Sequence, residues 1–404
     1  MTKLEQLIEE LCPNGVEYRT LGDIAIDVFR GAGIKRDEVT ETGIPCVRYG
    51  EIYTTYGVWF DECVSHTVLE NVPSPKYFEH GDILFAITGE SVEDIAKSCA
   101  YVGHEKCLAG GDIVVLKHNQ NPKYLAYALS TTDAQMQKSK GKVKSKVVHS
   151  SVPAIKEIVV PVPPLPVQSE IVRILDNFTE LTAELTAELT AELTARRKQY
   201  GHYTYQLLTF DDTVNTQKLR DLINFRNGKG HEKDIVDDGK YIVVNSKFIS
   251  TNGEVKKYSN KQICPLYVDD ILMVMSDLPN GRALAKCYLV TEDDKYTLNQ
   301  RIGAFHVKDE SVIITKFLLY VLNRNHQLLR YDNGVDQTNL RKDDILDIMI
   351  PVPSIEEQKR IVAILDRFDT LCNDISAGLP AEIESRQKQY EYYRDKLLTF
   401  EPAK

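Results

Sequence analysis

The segment KSKGKVKSK at 138–146 sets five lysines, Lys138, Lys140, Lys142, Lys144 and Lys146, at alternate positions. In an extended chain alternate residues share a face, so this spacing lines five ammonium groups along one side. That is the chemistry of a phosphate-facing strip, and Gly141 would permit close approach. A solvated lysine-rich loop has the same composition. A different set stands in RYDNGVDQTNLRK at 330–342, which offers Arg330, Asn333, Gln337, Asn339, Arg341 and Lys342. Arg, Asn and Gln suit paired hydrogen bonds to the edges of planar bases, whereas lysine chiefly supplies charge.

Two basic glycine-containing loops add to these. Arg30, Lys35 and Arg36 surround Gly31 and Gly33, and Arg226, Asn227, Lys229 and His231 surround Gly228 and Gly230. Arg48 with Tyr49, and Lys247, each follow a β-like run and are weaker candidates of the same kind.

Catalytic chemistry is hard to find. Cys99, His104 and Cys107, with Cys63 and His66 nearby in sequence, lack the paired CxxC spacing that anchors zinc, and a structural role is the simpler reading. The sequence therefore predicts no metal site. HEKD at 231–234 lacks the second histidine of a zincin, and GKG at 228–230 lacks the spacing of a phosphate-binding loop. No DPPY or NPPY sequence and no glycine fingerprint for S-adenosylmethionine occurs. Asp269-Asp270 and Asp343-Asp344 precede apolar runs and read as capping or solvated residues. The chain is expected to catalyse nothing alone and to carry no cofactor.

The elements that must position these groups come in two copies. Pro161-Val162-Pro163, Gln168, Ile171-Val172, Ile174-Leu175-Asp176, Phe178 and Leu181 recur as Pro351-Val352-Pro353, Gln358, Ile361-Val362, Ile364-Leu365-Asp366, Phe368 and Leu371. The register continues without a gap to Leu207-Leu208-Thr209-Phe210 and Leu397-Leu398-Thr399-Phe400. Between the matched parts lie two stretches with little likeness, so the repeat is a duplicated domain plus connector. In the first stretch IPCVRY, DILFAI and DIVVLK read as strands, and in the second KYIVVN, DDILMVM and RIGAFHV do. LGDI at 21–24 echoes LRDL at 219–222, and HGDILFAITG echoes VDDILMVMSD, which predicts one α/β module with two sets of loops.

The first connector carries three TAEL units at 182–193. Its composition favours helix, and about 60 Å of continuous helix is expected over 167–208. Leu181, Leu185, Leu189 and Leu193 form a stripe that drifts by about 40° per unit. Pro166 falls where a first-turn proline is tolerated. In the second connector, over 354–400, Ile361, Ile364, Leu365, Phe368 and Leu371 supply the apolar positions, and Gly378 and Pro380 should interrupt the helix. Two apolar-striped connectors are expected to pack on each other, antiparallel. A counted helical rod would set the distance between two heads.

With 404 residues the chain has room for two or three domains, each with a core. A net charge of −10 argues against non-specific DNA binding by bulk charge, and predicts small concentrated contact faces or a partner that shares the phosphates. Eight scattered cysteines read as reduced thiols, and no run suggests a membrane span or signal peptide, so a cytoplasmic location is expected.

The TAEL array, the PxPxxxxQxxIVxILDxF entry, the RKQYxxYxxxLLTF exit and the N-terminal LIEELCPNGVEY together resemble the specificity subunits of type I restriction–modification systems, most closely the subgroup with tetrad repeats. The resemblance covers the whole plan of the chain. It implies an α+β protein with two α/β target-recognition domains, two long helices packed as an antiparallel coiled coil, and an internal pseudo-twofold repeat. On that plan residues 1–157 hold an N-terminal helix and the first target-recognition domain, 158–210 the first connector, 211–347 the second target-recognition domain and 348–404 the second connector. The resemblance further implies a non-catalytic subunit that reads double-stranded DNA in two halves and docks two modification subunits carrying S-adenosylmethionine for adenine N6 methylation. Restriction and translocase subunits would bring ATP and Mg. Two rivals are a protein-binding coiled-coil scaffold, opposed by the lysine strip and twin basic loops, and a self-contained DNA enzyme, opposed by the missing catalytic motifs.

Overall fold

A computed structural model describes residues 1–404 apart from 140–141, 145–146, 279–281 and 374–377, and apart from the side chains of 142–144 and 147. The chain divides into two compact units, Met1–Leu189 with Glu382–Lys404, and Thr190–Ala381. Both contain a head and parts of both connectors.

Apolar runs without polar alternation become fully buried central strands, Ile83–Ala86 in the first head and Ile271–Val274 in the second. In the first head the sheet order is Ala25–Arg30, Ile113–His118, Ile83–Ala86, Ser98–Tyr101, Trp59–Phe60. In the second it is Ile223–Asn227, Ile302–Val307, Ile271–Val274, Cys287–Leu289, the same order without the last edge strand. A further sheet in the first head runs Val39–Thr40, Ser65–Thr67, Ile44–Val47, Cys107–Ala109, Tyr77–Phe78, matched in the second by Ile235–Val236, Tyr258–Ser259, Tyr241–Val244, Tyr296–Leu298. LGDI and LRDL are equivalent short helices, Leu21–Ile24 and Leu219–Leu222. The two heads are one module, as the weak echoes predict.

Each head is closed at its base. Tyr18–Thr20 pairs antiparallel with Val159–Pro161, and Thr216–Lys218 pairs with Met349–Pro351, so entry and exit of the chain lie side by side. The next residues lead into the connectors, and here the repeated sequence acts. Gln168 is fully buried; its carbonyl accepts the Asn121 N–H at 2.9 Å and its amide donates to the Pro163 and Gln120 oxygens at 2.7 and 2.8 Å. Gln358, equally buried, accepts the Ile314 N–H at 2.8 Å and donates to the Pro353 and Val312 carbonyls at 2.9 and 3.0 Å. One turn or two further on, Asp176 takes Lys123 and the Tyr127 hydroxyl at 2.8 and 2.9 Å, and Asp366 takes Lys316 and the Tyr320 hydroxyl at 2.7 and 2.6 Å. Val167, Ile171 and Leu175 merge into the first head's core, and Ile361 and Leu365 into the second's.

The first connector is a helix of 44 residues, Leu165–Leu208. Its stripe departs from the expected one at one end. Leu185, Leu189 and Leu193 are half-buried, but Leu181 is 62% exposed. A four-residue leucine repeat gains on a 3.6-residue helix, so leucine leaves the seam. Phe178 and Thr179 take its place, meeting Tyr393 (ring centroids 6.2 Å apart) and the Tyr390 hydroxyl (2.9 Å). The second connector is two helices, Ile355–Asn373 and Leu379–Leu397, with Pro380 in the first turn of the latter. Within the second unit, Tyr200 and Tyr203 stack on Phe368, and Arg197 donates to the Cys372 carbonyl. In both units rising numbers on the first connector meet falling numbers on the second, which is antiparallel pairing. Ile364 and Leu371 are half-buried on the same helix.

Lys138 is corrected by the structure. It ends the helix Thr132–Lys138 and is only 5% exposed, because its Nζ turns inward to donate to the Leu129 carbonyl at 2.7 Å and the Ser98 hydroxyl at 3.0 Å. Burial pushes its pKa down to about 7, against 10.5 in water, with Arg394 acting in the same direction. The charge is therefore a cost to folding that is complete below about pH 7 and fades as pH rises towards 10.5.

Trp59, the chain's one tryptophan, lies under the Lys123 ammonium (3.6 Å to the ring centroid) and reports on the first unit. Gln168→Leu leaves buried backbone groups unpaired and should cost about 2–4 kcal/mol. In urea unfolding of the full chain the tryptophan-detected midpoint should fall, whereas Gln358→Leu should leave that midpoint in place and lower only the helix-detected transition of the second unit. Lys138→Met should remove a stability increase of at most about 1.4 kcal/mol per pH unit between pH 7 and 10.5. Parallel tryptophan-detected titrations of parent and variant check this; identical slopes would exclude a buried ammonium.

Candidate nucleic-acid interface

The equivalent glycines of the two basic loops are there for packing. A Cβ on Gly31 would lie 2.2 Å from the Gly110 carbonyl oxygen, and one on Gly228 1.9 Å from that of Asn299. Each loop crosses directly over the end of a strand, held by the bridges Ala32 to Gly110 and Lys229 to Asn299. This crossing carries the basic side chains to the same place on each head.

In the first head it assembles an open cleft of about 620 Å³, lined by Gly33, Arg36, Arg48, Tyr49, Glu51 and Asp112 among others. Arg48 stands between the strand Ile44–Val47 and the helix Tyr49–Thr54. Its Nε and Nη2 donate to Glu51 Oε1 at 3.1 and 3.0 Å, its backbone N–H donates to Oε2 at 3.0 Å, and the Ser65 hydroxyl donates to Oε1 at 2.7 Å. Arg30 is drawn to Asp112 at 2.5 Å and to the Gly111 carbonyl. Lys35 is exposed and pairs with Glu38 at 3.3 Å, whose carboxyl is held below its ordinary pKa chiefly by the Lys35 backbone N–H. Arg36 is exposed and is in no ion pair among the described residues. Sequence reasoning misses Glu51 and Asp112. A signal for Glu51 exists, an acid three residues after the residue that opens a helix.

The second head spends its loop differently. His231 is buried, with Nδ1 on the Lys229 carbonyl at 2.7 Å and Nε2 on the Thr297 hydroxyl at 2.9 Å, so it clamps the loop and cannot reach a ligand. Arg226 is committed to the Asp270 carboxylate and the Pro265 carbonyl. Asp270 is itself fully buried, meeting His306 at 3.1 Å and accepting the Tyr267 backbone N–H at 2.8 Å, so it caps the turn before its strand as expected but is not solvated. Lys229 and Lys247 remain exposed.

The lysine-rich segment and its counterpart occupy equivalent places. The strand Val147–His149 pairs with Thr88–Gly89, directly after the first head's central strand, and Thr338–Asn339 pairs with Ser276–Asp277 after the second's. Lys142 and Lys144 lie on the strand Lys142–Lys144, hairpinned to Val147–His149, while Lys140 and Lys146 fall outside the described residues. The strip cannot run through Lys138, since the chain there is helical. In the second head Arg330, Asn333, Gln337, Asn339, Arg341 and Lys342 are all exposed. Several are partly engaged: Asn333 accepts the Val335 and Asp336 N–H groups at 3.0 Å, Gln337 donates to Ser276 at 2.8 Å, Arg330 lies on the Tyr331 ring and Lys342 over Phe225. Among the described residues the Asn339 and Arg341 side chains have no hydrogen bond or ion pair. Thr88, His149, Ser276 and Asp277 join these edges, and nothing in their sequence context singles them out. No cluster of three or more metal-ligating side chains occurs among the described residues, and Cys99 and Cys107 are buried core thiols. No helix among them is long and apolar enough to cross a membrane.

These features coincide with known proteins. The sequence profile of the type I restriction modification DNA specificity domain matches twice, over residues 13–195 and 211–385. The specificity subunit of the type I restriction enzyme EcoR124I/EcoR124II of Escherichia coli is 34% identical over 300 residues, covering 69% of this chain and 70% of the relative. A chain from a type I restriction–modification system, solved in work on complex assembly and conformational transition, has the same fold (TM-score 0.68, 15% identity, 96% of this chain and 98% of that one). So has the HsdS subunit of Thermoanaerobacter tengcongensis (TM-score 0.52, 15% identity, 97% and 98%). With two matched specificity domains and two heads of one topology, the chain belongs to the family of type I restriction–modification specificity subunits, the non-catalytic components that recognise DNA.

Proposed function

We propose that the two heads read the two halves of one asymmetric, split DNA site. The observation that supports this reading is that both heads keep one sheet order yet differ in sequence at the equivalent edges, His149 and Ser151 against Asn339 and Arg341, with Lys142 and Lys144 on a further strand beside the first head's edge. Lysines 142 and 144 fit phosphates, which set position, and the Asn and Arg of the second edge fit base edges, which set sequence. The connectors separate the heads and dock two modification subunits. Those subunits bind S-adenosylmethionine, flip an adenine out of each half-site and methylate N6, so the flipped base enters the partner and not this chain. Restriction subunits using ATP and Mg would act where methylation is missing. An acidic chain suits this division, because the partners share the neutralisation of phosphates.

The TAEL helix is proposed as the ruler. Removing one unit withdraws about 6 Å of helix and rotates its far end by about 40°. That advance corresponds to roughly one to two base pairs.

Mapping N6-methyladenine in cells expressing this chain with its modification subunit should give a split motif with unlike halves. Deleting residues 186–189 should keep both halves and shorten the gap by about one or two base pairs. An unchanged gap would remove the ruler, and no motif despite a cofactor-loaded complex would remove the reading heads. Replacing Lys142 and Lys144 by Gln should weaken binding to all sequences alike and lower the salt slope by about one to two. Titrations of the complex on a DNA duplex at several salt concentrations measure it.

A further inference from the structure

The first head's cleft holds a guanidinium whose fork is half used. Arginine has five N–H donors in a fixed plane. Glu51 takes the side of that plane formed by Nε and Nη2, and Ser65 fixes Glu51 in turn. The other edge, Nη1 with the remaining Nη2 hydrogen, has no acceptor among the described residues, and Arg48 lines the open cleft. Two adjacent acceptors at the spacing of a guanine O6 and N7 match this edge, whereas the adenine major-groove edge offers a donor beside its acceptor.

Two carboxylates line the cleft beside its cations. Arg48 is tied to Glu51 and Asp112 to Arg30, Arg36 is in no ion pair among the described residues, and the Arg48 side chain is recessed, 29% exposed. A phosphate would meet both carboxylates as well as the cations; a neutral base edge would not be repelled. Gly33 and Gly50, which also line the cleft, have nothing within 4 Å of where a Cβ would stand and leave room for that edge.

The second head lacks this device. Its equivalent strand, Tyr241–Val244, pairs in parallel with Tyr296–Leu298 as Ile44–Val47 does with Cys107–Ala109. The residue after it is Asn245, whose side chain is consumed in capping the next helix by accepting the Phe248 N–H at 2.9 Å. We propose that Arg48, oriented by Glu51, reads one guanine in the half-site bound by the first head, and that the second head makes no such contact from this position. The proposal rests on the two-headed reading above.

The test uses the full chain with its modification subunit. Duplexes carrying the mapped motif are made with 7-deazaguanine, which lacks N7, at each guanine in turn. At one guanine of one half, wild-type methylation should fall about tenfold or more. Arg48→Met, which keeps length but has no donor, should relax selection at that base pair by about ten- to a hundredfold, leave the other half and the gap intact, and no longer respond to 7-deazaguanine there. Glu51→Gln, as a change in a positioning residue, should weaken the same response while sparing the other half. A wild-type protein indifferent to 7-deazaguanine at every position overturns the proposal even if the variant misfolds, as does an Arg48→Met motif identical to the parent. Either result with a split motif present leaves the two-headed reading standing; absence of a split motif in the wild type defeats both.

Discussion

Everything the heads present depends on two buried glutamines. Gln168 and Gln358 each begin a connector helix and satisfy backbone groups belonging to a head. A buried amide can do this only if donors and acceptors meet it in one geometry, because an unpaired group there costs more than the bond returns. The clasp therefore fixes the angle at which a helix leaves its head. The Asp176 and Asp366 clusters repeat the constraint a turn or two later, so each head and its first connector turns move as one body.

This explains the pattern of the repeat. The residues that recur are not the ones exposed at the heads' edges; they are the ones that attach a head to a helix. A duplicated scaffold can vary its loops freely as long as the clasp, the base strands and the central strands persist. Among the described residues the second head has no counterpart of the first head's outermost edge strands, and the sheet order is otherwise the same. Side chains diverge at the rim because the rim bears little of the packing.

Basic residues illustrate a second point. Of the arginines and lysines that the sequence nominates, several are held by carboxylates inside the same head, and Lys138 is buried outright. Such pairing lowers the positive field that an acidic chain could offer to DNA at long range, but it holds individual guanidinium forks in place. Orientation matters more than charge when discrimination is by hydrogen bonds to base edges.

Much of the architecture was legible in the sequence by itself: the duplication, the helical connectors, the interruption near Gly378 and Pro380, and the strands of both heads. These features arise from periodicity and from backbone restrictions, which are local. The stripe of leucines was legible too, except at Leu181, where the mismatch between a four-residue repeat and the helical turn takes the side chain off the seam. The interface was legible only as composition. Alternating lysines looked like one strip, yet Lys138 belongs to a helix whose end points inward, and His231 serves its own loop. Only the tertiary structure decided which of the other cations are free and which are tethered, because Asp112 and Asp270 reach Arg30 and Arg226 through strand pairing between segments distant in the chain, whereas Glu51 meets Arg48 locally, three residues on. Local sequence states what a side chain can do; the sheet decides what it meets.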